Sequence, residues 1–91
     1  MKTYIVGNWK CHKNIVEGVD WLDTFSKVYR TAQEVEVVVT PHFLLLGKMS
    51  EAISTRGIDT LSLGAQDVSP FPRGSYTGAV AADMLKPLVD Y

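Results

Sequence analysis

Asn8 and Lys10 stand two residues apart just beyond the first apolar stretch, Thr3 to Val6. That stretch is β-branched and aromatic, reads as a strand, and ends at Gly7-Asn8. Strand periodicity puts Asn8 and Lys10 on one face and Trp9 on the other. A carboxamide and an ammonium converging at the carboxyl end of a strand are donors suited to an oxyanion or a phosphate. A solvated lysine beside a turn-forming asparagine has the same sequence, so the pair alone does not decide. The other reactive side chains argue less. Cys11 has no partner base in view and is not read as a nucleophile. His12, just past Lys10, and His42, in a Pro-containing turn, read as surface or packing residues. A single cysteine excludes an internal disulfide framework and a Cys-rich zinc site, and no metal is expected.

The elements that would position Asn8 and Lys10 follow from periodicity. Asn14 is a good N-cap, and Glu17 three residues on completes a capping box. Ile15, Val19, Leu22, Phe25 and Tyr29 then recur at steps of four and three, which predicts a helix over about residues 15–30. Val35 to Thr40 is a second strand, and its continuous Val37-Val38-Val39 suits a strand covered on both faces. Pro41 stops it. Leu45, Met49 and Ile53 predict a second helix over about 44–55, ended by Gly57. Leu61 to Gln66 reads as a third strand. Thr77-Gly78 opens a third helix over about 79–86, with Val80 and Met84 four apart and Pro87 closing it. This alternation predicts an α/β fold with a parallel sheet, each strand beside its predecessor.

Strand starts near Thr3, Val35 and Leu61 give units of roughly 30 residues, and eight such units make a closed barrel of about 250. The 91 residues hold about three units, so the expected architecture is part of a (β/α)8 barrel, with open strand edges and bare apolar surface. Nine Lys and Arg against ten Asp and Glu give a net charge of −1, which argues against a nucleic-acid binder. No apolar run approaches the roughly 18 residues that span a bilayer, and the first residues are too short for a secretory segment. A cytoplasmic chain without membrane contact is expected.

Three segments, in order, carry a resemblance. Gly7-Asn8-Trp9-Lys10 resembles the first active-site segment of the triosephosphate isomerase family. Gly64-Ala65-Gln66-Asp67-Val68-Ser69-Pro70, followed by Gly74-Ser75-Tyr76-Thr77-Gly78, resembles that family's third strand and third loop. Thr40-Pro41-His42-Phe43 stands where the family has its second-strand turn. The resemblance covers essentially the whole chain. It implies a cofactor-free interconversion of dihydroxyacetone phosphate and glyceraldehyde 3-phosphate. A carboxylate removes a proton next to the carbonyl, and a neutral His and a Lys stabilise the enediolate. By position, Lys10 matches the electrostatic Lys and Asn8 the Asn that orients substrate. Gln66 would support the site from the end of strand three.

The eleven residues Asp67 to Thr77 form a longer strand–helix connection than usual, shaped by Pro70, Pro72 and Gly74. The resemblance implies that this loop, with Tyr76 and Thr77, docks beside the Asn8–Lys10 segment of a twin subunit in a homodimer. It also places the family's catalytic His, catalytic Glu, closing lid and phosphate loops after Tyr91. The 91-residue chain alone is therefore expected to have no meaningful isomerase activity. Two departures bear on the interface: Cys11-His12 stands where Met-Asn is usual, and Ala79 replaces a common acidic residue. Two alternatives are a related sugar-phosphate isomerase and a non-catalytic barrel fragment that self-associates through its open edges.

Overall fold

A computed structural model describes residues 1–91, in the order β1 (Thr3–Asn8), α1 (Ile15–Val28), β2 (Val35–Thr40), α2 (Phe43–Arg56), β3 (Leu61–Leu63) and α3 (Ala82–Leu85). The three strands form one parallel sheet in the order β1-β2-β3. Thr3 to Asn8 run in register with Val35 to Thr40, and Val37 to Val39 with Leu61 to Leu63. The fold is α/β, the arrangement expected of the first units of a partial barrel.

Local chemistry sets the helix ends. Asn14 Oδ1 accepts the Glu17 N–H at 2.9 Å and Glu17 Oε1 accepts the Asn14 N–H at 3.0 Å, the reciprocal capping box. At the far end Tyr29 turns to extended backbone, so α1 stops two residues short of the expected 30. His42 caps α2, its Nδ1 accepting the Leu44 N–H at 3.3 Å. Gly57 ends that helix in the left-handed region at φ +63°, and Ile58 N–H reaches back to Ile53 O at 3.0 Å. Arg56 Nε meets Asp23 Oδ1 at 2.8 Å and ties the two helices together.

The core lies between one face of the sheet and α1 and α2. Leu22, Val39, Leu45, Leu46, Met49 and Leu63 are all buried there. Gly18 lets α1 approach α2 closely: a Cβ at that position would lie 2.8 Å from Leu45 Cδ2 and 3.5 Å from the Trp9 ring. The expected apolar stripe of α1 needs one correction. Ile15 is exposed, and the buried surface runs through Gly18 and Leu22 with Trp21 and Phe25 beside them. Trp9, Trp21, Phe25 and Tyr29 form a continuous aromatic ladder with centroids 4.9–5.0 Å apart.

The opposite face of the sheet carries Tyr4, Val6, Glu36, Val38 and Thr40. Residues 88–91 run beside β3: Asp90 N–H donates to Leu63 O at 2.8 Å, and Ala65 N–H donates to Tyr91 O at 3.1 Å. The Tyr91 ring stands edge-on to Tyr4, centroids 5.9 Å apart. Its hydroxyl donates to the Glu36 carboxylate, which also pairs with Lys2 Nζ at 2.9 Å.

The third unit departs most from expectation. β3 ends at Leu63 rather than Gln66, because Ala65 and Gln66 turn their hydrogen-bonding groups to other partners. The third helix does not start after Thr77-Gly78. Gly78, at φ +81°, is the third residue of a turn closed by Ala79 N–H to Tyr76 O at 3.1 Å. Ala81 is extended, so α3 spans only Ala82–Leu85, with Leu85 buried and Met84 exposed in place of the expected Val80 and Met84 pair.

Candidate active site

The carboxyl ends of β1, β2 and β3 come together around Asn8, Trp9, Lys10, Thr40 and Gln66. Strand alternation does not carry as far as Lys10. β1 ends at Asn8, and Lys10 sits in a turn at φ +53°, a left-handed conformation that a side chain makes costly. What joins the two residues is a local bond: Asn8 Oδ1 accepts the Lys10 N–H at 2.9 Å. Trp9 does face the other way. It is buried against the helices, its ring edge-on to Trp21 at 5.0 Å. Trp9 N–H also donates to Thr40 O at 3.2 Å. An anchored tryptophan thus separates two exposed polar residues and fixes where each begins.

Gln66 supplies the second restraint. Its Nε2 donates to Lys10 O at 2.8 Å and to Thr40 O at 2.7 Å. One amide therefore ties the turn after β1 to the end of β2, from a position three residues beyond β3. The Lys10 peptide is held from both sides, at its N–H by Asn8 and at its C=O by Gln66. Strained backbone held by several independent contacts is a recurrent property of functional sites. The side chains left over are donors. Asn8 Nδ2 makes no hydrogen bond, and Lys10 Nζ enters none of the four ion pairs. Lys13 Nζ lies 5.3 Å from the centre of the Trp9 ring and adds positive charge to the same end of the sheet.

The loop after β3 is built as a unit. Ser69 N–H donates to Val80 O at 2.8 Å and closes its neck. Phe71 and Tyr76 stack at 4.9 Å and 13°, both about half exposed. Thr77 is exposed beside them. Hydrogen bonds join Asn8, Lys10 and Gln66, and neither a hydrogen bond nor a ring contact joins Phe71, Tyr76 or Thr77 to that group. A groove of about 640 Å³ lies next to the Lys10 turn, lined by Cys11, His12, Asn14, His42 and Leu44 among others. His12 and His42 are thus on the groove wall, and no group of three metal-ligating side chains occurs.

The shifted titrations lie elsewhere. Lys2, Glu36 and Tyr91 cluster at the amino end of β2, on the face away from the helices. The Tyr91 hydroxyl and then the Lys2 ammonium hold the Glu36 carboxyl below its ordinary value.

The family model described as triosephosphate isomerase matches residues 3–89. The chain belongs to the triosephosphate isomerase family. It is 38% identical over 84 residues to the triosephosphate isomerase of Polynucleobacter asymbioticus, covering 90% of this chain and 33% of that protein. It is 37% identical over 91 residues to that of Alkaliphilus metalliredigens, covering 99% of this chain and 35% of the relative. The triosephosphate isomerase of Mesomycoplasma hyopneumoniae strain 232 is 29% identical over 93 residues, covering 97% of this chain and 37% of the relative. The chain thus spans about a third of the length of the curated relatives it matches. No helix is long and apolar enough to cross a membrane.

Proposed function

We propose that this chain carries the Asn–Lys arm of a triosephosphate isomerase, the enzyme that interconverts dihydroxyacetone phosphate and glyceraldehyde 3-phosphate. The observation that carries the reading is the pair of uncommitted donors, Asn8 Nδ2 and Lys10 Nζ, on a turn pinned by Asn8 Oδ1 and Gln66 Nε2. In this reading Lys10 is catalytic. Its ammonium lies against the oxygen on which negative charge builds as the proton next to the carbonyl leaves. A fixed cation there favours the charged enediolate over the neutral substrate, which is what accelerates the step. Asn8 orients the substrate. Gln66 is a positioning residue, because it acts through the Lys10 backbone. The reaction moves protons only, so it needs no cofactor, and it is placed in the cytoplasm, in glycolysis and gluconeogenesis.

The proton-moving carboxylate and the neutral His belong to segments other than these 91 residues. A missing general base costs on the order of 10²–10⁴ in rate. The chain alone therefore has no meaningful isomerase activity, and a coupled assay giving turnover proportional to pure protein would contradict this. Joined to the remaining two-thirds of a relative, residues 1–91 give an active isomerase.

The completed enzyme is a homodimer in which the 67–77 loop of one subunit docks beside the Asn8–Lys10 segment of the other. The self-stacked Phe71 and Tyr76 and the groove beside Cys11 and His42 support this. Thr77 would reach toward the partner's site. Tyr76→Asp in the completed enzyme shifts it to monomer in a size-exclusion mass measurement, and an unchanged dimer would count against the docking.

A further inference from the structure

The turn between β1 and α1 carries two of the three non-glycine residues with positive φ, Lys10 at +53° and Lys13 at +69°. Left-handed backbone is costly for any residue with a Cβ, so other contacts must hold each of them there. Lys10 is held by Asn8 Oδ1 at its N–H and by Gln66 Nε2 at its C=O. No backbone hydrogen bond holds Lys13. Its ammonium lies instead over the Trp9 ring, 5.3 Å from the centre. That ring is a fixed platform. Trp9 is buried and edge-on to Trp21 at 5.0 Å, and its N–H donates to Thr40 O at 3.2 Å. Gly18 leaves room for it, since a Cβ there would lie 3.5 Å from the ring. A cation on the face of a tryptophan is the strongest pairing of this kind.

The residue after Lys13 is fixed as well, because the reciprocal bonds of Asn14 and Glu17 tie it to α1. Lys10 to Lys13 therefore run between two anchored points, with only Cys11 and His12 between them. Over so short a span the backbone of Lys13 cannot turn over without moving Lys10. We propose that Lys13 is a positioning residue for Lys10. Its ammonium on the Trp9 face offsets the strain of its own left-handed backbone, and the turn so held aims the Lys10 ammonium. This rests on the isomerase reading for what Lys10 then does. The charge of Lys13 could also act on the reaction directly, through its field, and the two roles respond differently to substitution. A field depends on the charge alone. The contact with Trp9 is needed only while the residue at position 13 is strained, and glycine adopts φ +69° without that cost.

The test is the steady-state kinetics of residues 1–91 joined to the remaining two-thirds of the Polynucleobacter asymbioticus relative, with Lys13→Gln, Lys13→Arg or Lys13→Gly. Lys13→Gln keeps the strain and loses the cation. Its kcat should fall about two- to five-fold, the factor that an exposed cation–π contact carries, with KM little changed. Lys13→Arg should restore kcat, because a guanidinium also stacks on an aromatic face. Lys13→Gly should restore it by relieving the strain. Circular dichroism should be the same for all four proteins. An unchanged kcat in Lys13→Gln would overturn the proposal. So would a loss in Lys13→Gly as large as in Lys13→Gln, which would assign the effect to the field of the charge. Lys10→Ala in the same hybrid separates the two readings. If it costs nothing, the isomerase reading of Lys10 fails. If it abolishes turnover while Lys13→Gln has no effect, only the positioning role fails.

Discussion

The side-chain amide of Gln66 donates to the main-chain carbonyl of Lys10 at 2.8 Å, across 56 positions of sequence. The same nitrogen reaches Thr40 O at 2.7 Å. One side chain therefore fixes the relative position of the ends of β1 and β2. A neutral hydrogen bond contributes about 0.5–1.5 kcal/mol net. Gln66 is exposed, so water can replace its bonds and Gln66→Leu should lower stability by about 0.5–1.5 kcal/mol in a denaturant titration. Gln66→Glu should cost more, because it aims a carboxylate at two carbonyl oxygens. Equal stability of all three proteins would remove the clamp from the account.

The left-handed Lys10 gives a second prediction. A non-glycine residue there costs about 1–2 kcal/mol, and glycine does not incur that cost. Lys10→Ala keeps the strain and loses the ammonium, whereas Lys10→Gly loses both. The glycine variant should therefore be the more stable of the two, by about 1 kcal/mol after its larger unfolded-state entropy is deducted. Neither should retain Lys10's proposed contribution to isomerisation in a completed enzyme. An alanine variant as stable as the glycine variant would mean that the turn is unstrained.

The chemistry at Glu36 predicts a pH dependence. The Tyr91 hydroxyl, and after it Lys2, hold its folded-state carboxyl below the ordinary 4.5. The unfolded chain then binds the proton more readily than the folded one. This contribution is fully present above about pH 4.5 and fades as pH falls through the lower folded value. Lys2 is raised above its ordinary 10.5, chiefly by the hydrogen bond to Glu36, so its contribution is present below that value and fades at higher pH. Denaturation midpoints of the unmodified chain and Glu36→Gln should differ at pH 6 to 8 and converge in acid. A difference that does not shrink as pH falls below about 4.5 would contradict this.

Much of the fold was legible in local chemistry. The Asn14–Glu17 box, the Gly57 terminus and the parallel order of three strands all follow from residue type and spacing. What was not legible depended on contacts distant in sequence. Periodicity extended strand three to Gln66, but that side chain leaves the ladder to reach Lys10 and Thr40. Periodicity also started the third helix after Gly78, but the turn there and the Ser69–Val80 bond spend those residues on closing a loop. At the site, alternation placed Asn8 and Lys10 on one face. In the structure the strand ends at Asn8, and what links the two residues is a bond from the Lys10 backbone to the Asn8 side chain in a turn. The Tyr91–Glu36 contact spans 55 positions, and nothing in the local sequence points to it.

The most direct measurement is steady-state isomerase activity of residues 1–91 joined to the remaining two-thirds of the Polynucleobacter asymbioticus relative, with and without Lys10→Ala. Removing one preorganised electrostatic donor costs about 10²–10³ in kcat. The hybrid should be active and should lose at least that much when Lys10 is replaced while its fold is unchanged. A hybrid that folds and turns over equally well with alanine at that position would contradict it.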